Sequence, residues 1–285
     1  MNANEHRDNN MNAVDDSLEV SYSVTTPSLQ SSNPMMRIKA VSQLSNDYSE
    51  KATEKLFEAL YDGDQRVVLA ALQAMNKRDI EPAISLVNAL FLSSSSQSLD
   101  KVCLDIIAKI GDQQSRRLLY KRFPRPEGMS MTLLPHYINA LGAIGEEDEV
   151  ELLSRIVNNF WGLYRNELLN ALERIISRLE HVIVSVDVIN AFQKLFDDAE
   201  PRDRKRIIEL IPHISNELML SILLCGLENE HPAVRKASVT VLGCIGSEFA
   251  HRELERHFRE EDHEEVLEEY ARWLLFAEDD YAAQM

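Results

Sequence analysis

From residue 33 onward, apolar residues recur at intervals of three and four along almost the whole chain. Val150, Leu153, Val157 and Phe160 form one such series, and short polar turns separate each series from the next. This period is that of amphipathic α-helices, each with one apolar face. The pattern therefore predicts a mainly helical protein.

The predicted helices repeat. One helix in each repeat ends in a pair of residues three apart, and the second members of successive pairs are separated by 31, 35, 34, 31, 39, 31 and 32 residues. A period near 33 with two helices per unit predicts stacked helical hairpins, because a single hairpin cannot bury its apolar face alone. The pairs are Val41/Leu44, Leu72/Met75, Ile107/Ile110, Leu141/Ile144, Leu172/Ile175, Ile211/Ile214, Leu242/Ile245 and the degenerate Leu274/Ala277.

The best copies share a polar turn and an apolar and basic helix start, and the helix end with glycine recurs at residues 141–145 and 242–246. Residues 231–246 have the sequence HPAVRKASVTVLGCIG, and residues 62–75 have DGDQRVVLAALQAM. This pattern resembles the second helix of HEAT-like repeats of the short type that many bacterial proteins share, whereas the motifs of tetratricopeptide and ankyrin repeats are missing. The resemblance covers about residues 34–278. It implies an all-α, right-handed solenoid of roughly eight helical hairpins.

The domain boundaries follow from the same pattern. Residues 1–32 are rich in Asn, Ser, Thr and Asp and show no apolar period, which predicts a disordered N-terminal tail. The solenoid is predicted over residues 33–279, and residues 280–285 form a short C-terminal tail. Val182–Val186 is rich in β-branched residues and falls in the longest interval, so we expect an irregular unit there.

Glycines and cysteines give two further structural expectations. Gly111, Gly145 and Gly246 follow the last apolar residue of a predicted helix, where left-handed backbone lets the chain turn back. The cysteines share no spacing typical of a metal site or a disulfide, and we expect them in the core of a protein from a reducing compartment. They are Cys103, Cys225 and Cys244.

Charge narrows the possible partners. The formal net charge is −17, and residues 146–285 carry 30 acidic against 15 basic side chains. Such a field repels phosphate backbones, so nucleic acid and anionic membranes are unlikely partners. The polar N-terminus lacks the apolar core of a secretory signal, and no apolar stretch approaches the ~18 residues of a membrane span. We therefore expect a cytoplasmic protein without membrane insertion.

Catalytic motifs are missing from the sequence. Deoxyhypusine hydroxylase, a HEAT-like enzyme, holds two irons with repeated His-Glu dipeptides, but this chain has a single one, His263–Glu264. No zinc spacing, phosphate-binding loop or nucleophile triad is recognisable, so we expect no metal and no cofactor. Phycobilin lyases have similarly short HEAT-like repeats. That resemblance lies in the scaffold and identifies no catalytic residue.

Two groups of residues are candidates for protein binding, because Trp, Tyr and Arg are enriched at binding hot spots. Trp161, Tyr164 and Arg165 surround a predicted turn, where they could also cover the seam between repeats. The second group is a basic island in the acidic half, which could equally be a solvated helix start. It comprises Arg202, Arg204, Lys205 and Arg206.

A basic run at residues 116–125 has five cations and no acid. A DNA glycosylase of the HEAT-like type would need a basic face with aromatic and acidic groups. Because the chain is acidic overall, a solvated helix face and turn is the favoured interpretation. The cations are Arg116, Arg117, Lys121, Arg122 and Arg125.

Arg235 belongs to a row of cations placed nine or ten residues before the aligned core position. The row could pair with acids of the turns, namely Asp64, Asp203 and Glu230, or it could form a positive seam that recruits an acidic partner. Pairing is the favoured interpretation. The row comprises Arg66, Lys101, Arg165, Arg204 and Arg235.

Together these patterns predict a non-catalytic scaffold or adaptor, because stacked repeats create an extended surface suited to protein partners. The alternative is an enzyme subunit of the lyase type that presents a partner protein for modification.

The first prediction concerns metal. Protein purified without chelators should contain no stoichiometric iron or zinc, because the sequence lacks the ligand spacings that these ions need. Elemental analysis of the purified chain checks this. Tightly bound iron together with oxygen-dependent hydroxylation would contradict it.

Overall fold

The structure is a computed structural model that describes residues 28–282 apart from residues 161, 180, 215 and 216, with side chains up to residue 274. Its described part contains fifteen α-helices and one isolated β-bridge. The helices are α1 (Pro34–Leu44), α2 (Glu50–Ala59), α3 (Gln65–Lys77), α4 (Ile84–Ser93), α5 (Gln97–Ile110), α6 (Gln113–Arg122), α7 (Leu134–Ile144), α8 (Glu147–Phe160), α9 (Arg165–Ile176), α10 (Val186–Asp198), α11 (Pro201–Leu210), α12 (Leu220–Leu227), α13 (Pro232–Ile245), α14 (Glu248–Phe258) and α15 (Glu264–Ala282).

The helices form two layers. Each odd-numbered helix packs against the next odd-numbered helix, and α4, α8 and α10 contact even-numbered neighbours in the second layer. Each even-numbered helix forms a hairpin with the odd-numbered helix that comes after it, so α1 is followed by seven hairpins. The predicted all-α solenoid is confirmed.

The predicted period is confirmed as well, because the eight aligned pairs fall on α1, α3, α5, α7, α9, α11 with its following turn, α13 and α15. The first member of the pair is completely buried in α1, α3, α5, α7, α9 and α13. The Ile211/Ile214 pair lies in the 3-10 turn after α11, where Pro212 removes a backbone donor.

Side-chain caps fix where many helices begin. Asn33, Ser49, Asp64 and Ser247 each accept a hydrogen bond from a backbone N–H in the first turn of the following helix. Such caps satisfy donors that the helix itself cannot pair. Asp112 begins α6 in the same way and forms a reciprocal capping box.

The unit around α10 is irregular, as predicted. The connection between α9 and α10 runs beside the turn after α11, and the backbone N–H of Val182 donates to the carbonyl oxygen of His213 at 2.8 Å. The backbone N–H groups of Ile183 and Ser185 donate to carboxylates of α8. This connection therefore joins two neighbouring units through backbone hydrogen bonds.

The predicted left-handed glycines are partly wrong. Gly246 has a φ of +60° and ends α13 as expected. Gly111 and Gly145 have φ values of −62° and −73°, outside the left-handed region. A Cβ on either residue would lie 2.4 Å from the carbonyl oxygen four residues earlier. Close approach to the end of the helix is therefore the reason for glycine at these two positions.

The cysteine prediction holds for one residue of three. Cys103 is completely buried, and burial raises the pKa of its thiol to about 12. Cys225 and Cys244 are exposed, so their predicted burial is wrong. In α12 the buried face is formed by Leu223 and Gly226, on either side of Cys225 in the sequence. In α13 the last buried residue is Leu242, two residues before Cys244.

Two helices of one layer approach each other closely at Gly142 of α7 and Ala171 of α9. A Cβ on Gly142 would lie 2.6 Å from the Cα and 2.7 Å from the Cβ of Ala171. Contacts of this length are far below van der Waals separation. The seam between these units therefore requires glycine at position 142.

We expect Gly142→Ala to lower the free energy of unfolding by about 1–3 kcal/mol, because the added methyl group forces α7 and α9 apart. Denaturant unfolding followed by circular dichroism measures the change. Gly63→Ala is the matched control: no atom lies within 4 Å of its Cβ position, so its effect should stay within about 0.5 kcal/mol. Equal stabilities of the two variants would contradict the proposed packing.

Candidate protein-binding surface at the hairpin turns

Arg204, Arg206 and Arg235 each make contacts within the fold. Arg235 donates from Nε and Nη2 to the Glu261 carboxylate at 2.7 Å each, and from Nη1 to the carbonyl oxygens of Asn229 and Glu230. The expected pairing with a turn acid is present, but the acid belongs to the next hairpin instead of being Glu230. The Arg235 side chain is long enough to cross from α13 to the turn after α14, so it meets Glu261 there.

Glu261 and Arg235 form a shielded pair. The Glu261 side chain is 3% exposed and the Arg235 side chain 16%. Burial alone would raise the pKa of Glu261, but hydrogen bonds from Arg235 and from backbone N–H groups outweigh burial and hold the pKa below its usual value. This pair fastens the turn after α14 to the start of α13.

Arg204 and Arg206 differ in their partners. Arg204 donates to the carbonyl oxygens of Phe196 and Asp197 and lies 5.6 Å from the Phe196 ring centroid. Asp203, its expected partner, lies 3.1 Å from Nη1 of Arg206 instead. Arg206 also pairs with Glu173 of the preceding hairpin. The expected Arg204–Asp203 pairing is therefore wrong, because the two side chains leave α11 in different directions.

The pairing predicted at the start of α3 is present, since Arg66 Nη2 lies 2.7 Å from Asp64, the residue that caps the helix. The hydrogen bonds from the Arg66 side chain and backbone lower the pKa of Asp64 to about 2. The sequence pattern missed Arg37, which binds Asp62 with two hydrogen bonds of 2.6 and 2.8 Å. Arg37 lies seven residues before Leu44, outside the spacing of nine or ten residues that defined the row, although it donates to the carbonyl oxygens of Ser31 and Ser32 in the preceding turn.

The remaining basic candidates face solvent. The Arg202 side chain is exposed and makes no hydrogen bond or ion pair within the described part of the chain. Lys205 lies 3.6 Å from Glu209 and lines a groove of about 530 Å³ that crosses α11, α13 and α15. Lys236 in the same groove lies 3.9 Å from Glu265. Each of these lysines therefore has a neighbouring carboxylate.

The aromatic candidates lie at the turn between α8 and α9. Trp161 is outside the described residues. Tyr164 is buried, and its hydroxyl donates to the carbonyl oxygen of Met131 at 2.9 Å. This hydrogen bond matches the interpretation that Tyr164 covers a seam between repeats. Arg165 begins α9 and is half-buried.

Tyr164 connects two turns of a larger surface. Ser130 donates to Gln97 at 3.3 Å, and Arg122 donates to the carbonyl oxygens of Leu92 and Ser94. The hydrogen bonds link three successive hairpin turns into one continuous surface. We call this surface the turn edge and define it as residues 92–97, 123–133 and 162–164.

The turn edge exposes large apolar side chains beside a cleft. Met131 and Leu163 are 61% and 58% exposed, and Leu92 is 39% exposed. The cleft has a volume of about 720 Å³ and lies between the start of α5 and the loop from α6 to α7. Its apolar lining includes Phe123, Met129 and Leu133.

Arg122 and Arg125 line this cleft, and two further exposed cations lie on α6 before it. Arg122 forms one wall, pairs with the buried Asp100 at 2.8 Å, and lies over the rings of Phe91 and Phe123. The side chains of Arg117, Lys121 and Arg125 are exposed and make no ion pair or hydrogen bond with any residue that the structure describes. The basic run is therefore only partly a solvated face, because Arg116 and Arg122 hold carboxylates of adjacent helices.

Sequence patterns missed the apolar part of the turn edge. Met131 and Leu163 stand in loops, where a helical period gives no expectation of burial or exposure. A usable signal was available in the length of the loop at residues 123–133 and in its apolar content, since loops on the surface commonly carry binding residues.

No helix in the described ranges is long and apolar enough to cross a membrane. Among the side chains that the structure describes, no group of three or more His, Cys, Asp and Glu residues is arranged to hold a metal ion.

Comparison with known proteins assigns the class of repeat. Residues 189–274, from α10 to α15, match the family model of HEAT repeats. This match confirms the HEAT-like repeats predicted from the sequence, and the described hairpins before residue 189 continue the same two-layer packing. The described part of the chain is an all-α solenoid, and residues 189–274 of it match HEAT repeats.

Comparison with curated proteins finds no match. Among solved structures, human deoxyhypusine hydroxylase in complex with glycerol aligns with 85% of this chain and 96% of its own at 15% identity and a TM-score of 0.30. A likeness this distant says nothing about the activity of the present chain.

We expect Arg235→Ala to lower the free energy of unfolding by about 3 kcal/mol, because Glu261 would stay buried without its partner. Arg202→Ala is the control and should change stability by less than about 0.5 kcal/mol. A double-mutant cycle with Glu261→Gln, measured by denaturant unfolding, isolates the coupling between the two side chains. A coupling energy near zero would contradict a structural role for Arg235.

Proposed function

We propose that this chain is a non-catalytic protein-binding scaffold whose partners bind the turn edge. The observation that carries the proposal is the exposure of Met131 and Leu163 on two turns that Tyr164 joins by a hydrogen bond. Removing large apolar side chains from water when a partner binds lowers the free energy of the complex.

The turn edge also has the composition of a binding surface. Its apolar side chains are surrounded by arginine and other polar groups, and apolar centres with polar rims are typical of protein interfaces. The cleft beside Met131 can accept a side chain from a partner, in the manner of a hot-spot pocket.

Rigidity supports the same function. The three turns are joined by hydrogen bonds between neighbouring units, and the helices behind them are fixed by the buried core. A surface that is already ordered loses little conformational entropy when it binds. The turn edge can therefore hold a partner without prior rearrangement.

The groove across α11, α13 and α15 is a weaker candidate for a binding surface than the turn edge. Its cations Lys205 and Lys236 each have a carboxylate neighbour within 4 Å, so little unbalanced charge is available to a ligand. Its apolar lining includes the buried residues Val241 and Val266.

A substitution at the turn edge tests the proposed function. A partner is first identified by cross-linking and mass spectrometry and then purified. Met131→Glu combined with Leu163→Glu should weaken its binding by about tenfold or more, because each fully buried large side chain contributes about 1.5–3 kcal/mol. Calorimetric titration of the wild-type and variant chains measures the dissociation constants.

The matched control is Ile183→Glu combined with Val186→Glu, which adds the same charge at two other exposed apolar side chains. Ile183 is 76% exposed but lies in the connection between hairpins, on the opposite edge of the solenoid. The control variant should bind the partner as the wild type does. If the control substitutions weaken binding and the turn-edge variant does not, partners bind the opposite edge and the proposal is wrong.

A further inference from the structure

We infer that the turn edge and the adjoining end of α6 take an acidic segment of a partner protein in which a run of carboxylates adjoins large apolar side chains. This inference rests on the proposed function and adds the chemistry of the partner. The charge distribution, the position of the cleft and the spacing of the cations carry it.

Unpaired cations select for carboxylates. Several arginines of this chain, such as Arg37, Arg116 and Arg235, already hold acids of their own fold. Arg117 and Arg125 hold none within the described residues, and neither does Lys121. Arginine binds carboxylates with paired, directional hydrogen bonds, and the charge also steers an acidic segment toward the surface.

Most acids near these cations already hold an arginine: Glu146 and Asp148, near the start of α6, both pair with Arg116. Asp100 is 7% exposed at its side chain and is held by Arg122, so it contributes little field at the surface. Glu127 is the exposed acid of the loop and opposes three unpaired cations. The remainder of the chain is strongly acidic, with a net charge of −17 for the whole. An acidic segment is therefore repelled elsewhere and attracted here.

The spacing of the cations fits an extended segment. Arg117 and Lys121 are four residues apart on α6, which places them about 6 Å apart along the helix axis. Alternate residues of an extended chain are about 6.6 Å apart. Two carboxylates at alternate positions can therefore meet the two cations at the same time.

The cleft selects the residues of the partner that adjoin the acidic run. Beyond Lys121, α6 ends, and the loop continues to Arg125 and the apolar walls formed by Phe123, Met129 and Leu133. A large apolar side chain that adjoins the carboxylates would enter this cleft, with Met131 exposed beside it. Charge thus supplies orientation, and the apolar contact supplies most of the affinity.

The test uses the full chain and a labelled synthetic peptide with a run of Asp and Glu followed by Leu and Phe. Fluorescence anisotropy should show binding that weakens as salt is added. Combining Lys121→Glu with Arg125→Glu should raise the dissociation constant by about tenfold or more. Replacing the acids of the peptide by Lys, or its apolar residues by Ser, should also abolish binding.

The matched control is Lys51→Glu combined with Lys55→Glu, because both lysines are exposed on α2 and the change in net charge is identical. This control should bind the peptide like the wild type. Equal losses in both double variants would show a general charge effect and overturn the inference. Circular dichroism verifies folding, and Lys121→Gln with Arg125→Gln replaces the charge reversal if that variant unfolds.

Three further outcomes would also overturn the inference. One is a peptide that fails to bind while an identified partner still depends on Met131 and Leu163; the proposed function then stands. Another is a carbodiimide cross-link between a carboxylate of residues 1–27 and Lys121 in the isolated chain, which would make the chain its own ligand. The third is a dimer in sedimentation that Lys121→Glu dissociates, which would make the occupant a second copy.

Discussion

Burial of apolar faces between successive odd-numbered helices is the constraint on which this architecture depends. A single hairpin cannot bury its own apolar face, so each unit completes its core with apolar side chains of the units on either side. Small residues make the approach possible, as shown by Gly142 against Ala171 and by Gly243 beneath the ring of Trp273. The result is a continuous core with two long lines of loops at its edges.

Arginine side chains make the second set of contacts between units. Arg37, Arg116 and Arg235 each reach a carboxylate of a neighbouring turn or helix, and Arg178 donates to the carbonyl oxygens of Gly142 and Gly145 at the end of α7. A side-chain donor at this position satisfies carbonyl groups that the helix leaves unpaired. Basic residues of this chain therefore serve largely in its own assembly, which makes the unpaired cations beside the cleft informative.

The sequence was sufficient to predict the class of fold because burial repeats with a period that stacking enforces. The aligned pairs identified every odd-numbered helix, including the short α11, and β-branched residues marked the irregular unit at 182–186. The glycine prediction failed at Gly111 and Gly145 because a sequence shows that glycine is needed but not whether φ or close approach requires it.

Side-chain pairing could be predicted only in part. Arg66 and Asp64 are near neighbours in the sequence, and their pairing was found. Arg235 instead reaches Glu261, and Arg206 reaches Glu173, because stacking brings residues about one repeat apart into contact. The turn edge was missed for a related reason: Leu92, Met131 and Leu163 meet through the stacking of loops, which carry no helical period of their own.

The proposed binding surface is made by several units, so a bound partner should contact more than one turn. Hydrogen–deuterium exchange of the chain with and without an identified partner tests this most directly. The account predicts that partner binding slows exchange at residues 92–97, 123–133 and 162–164 together, while residues 181–186 on the opposite edge are unchanged. Protection confined to α11, α13 and α15, or to residues 181–186, would contradict it.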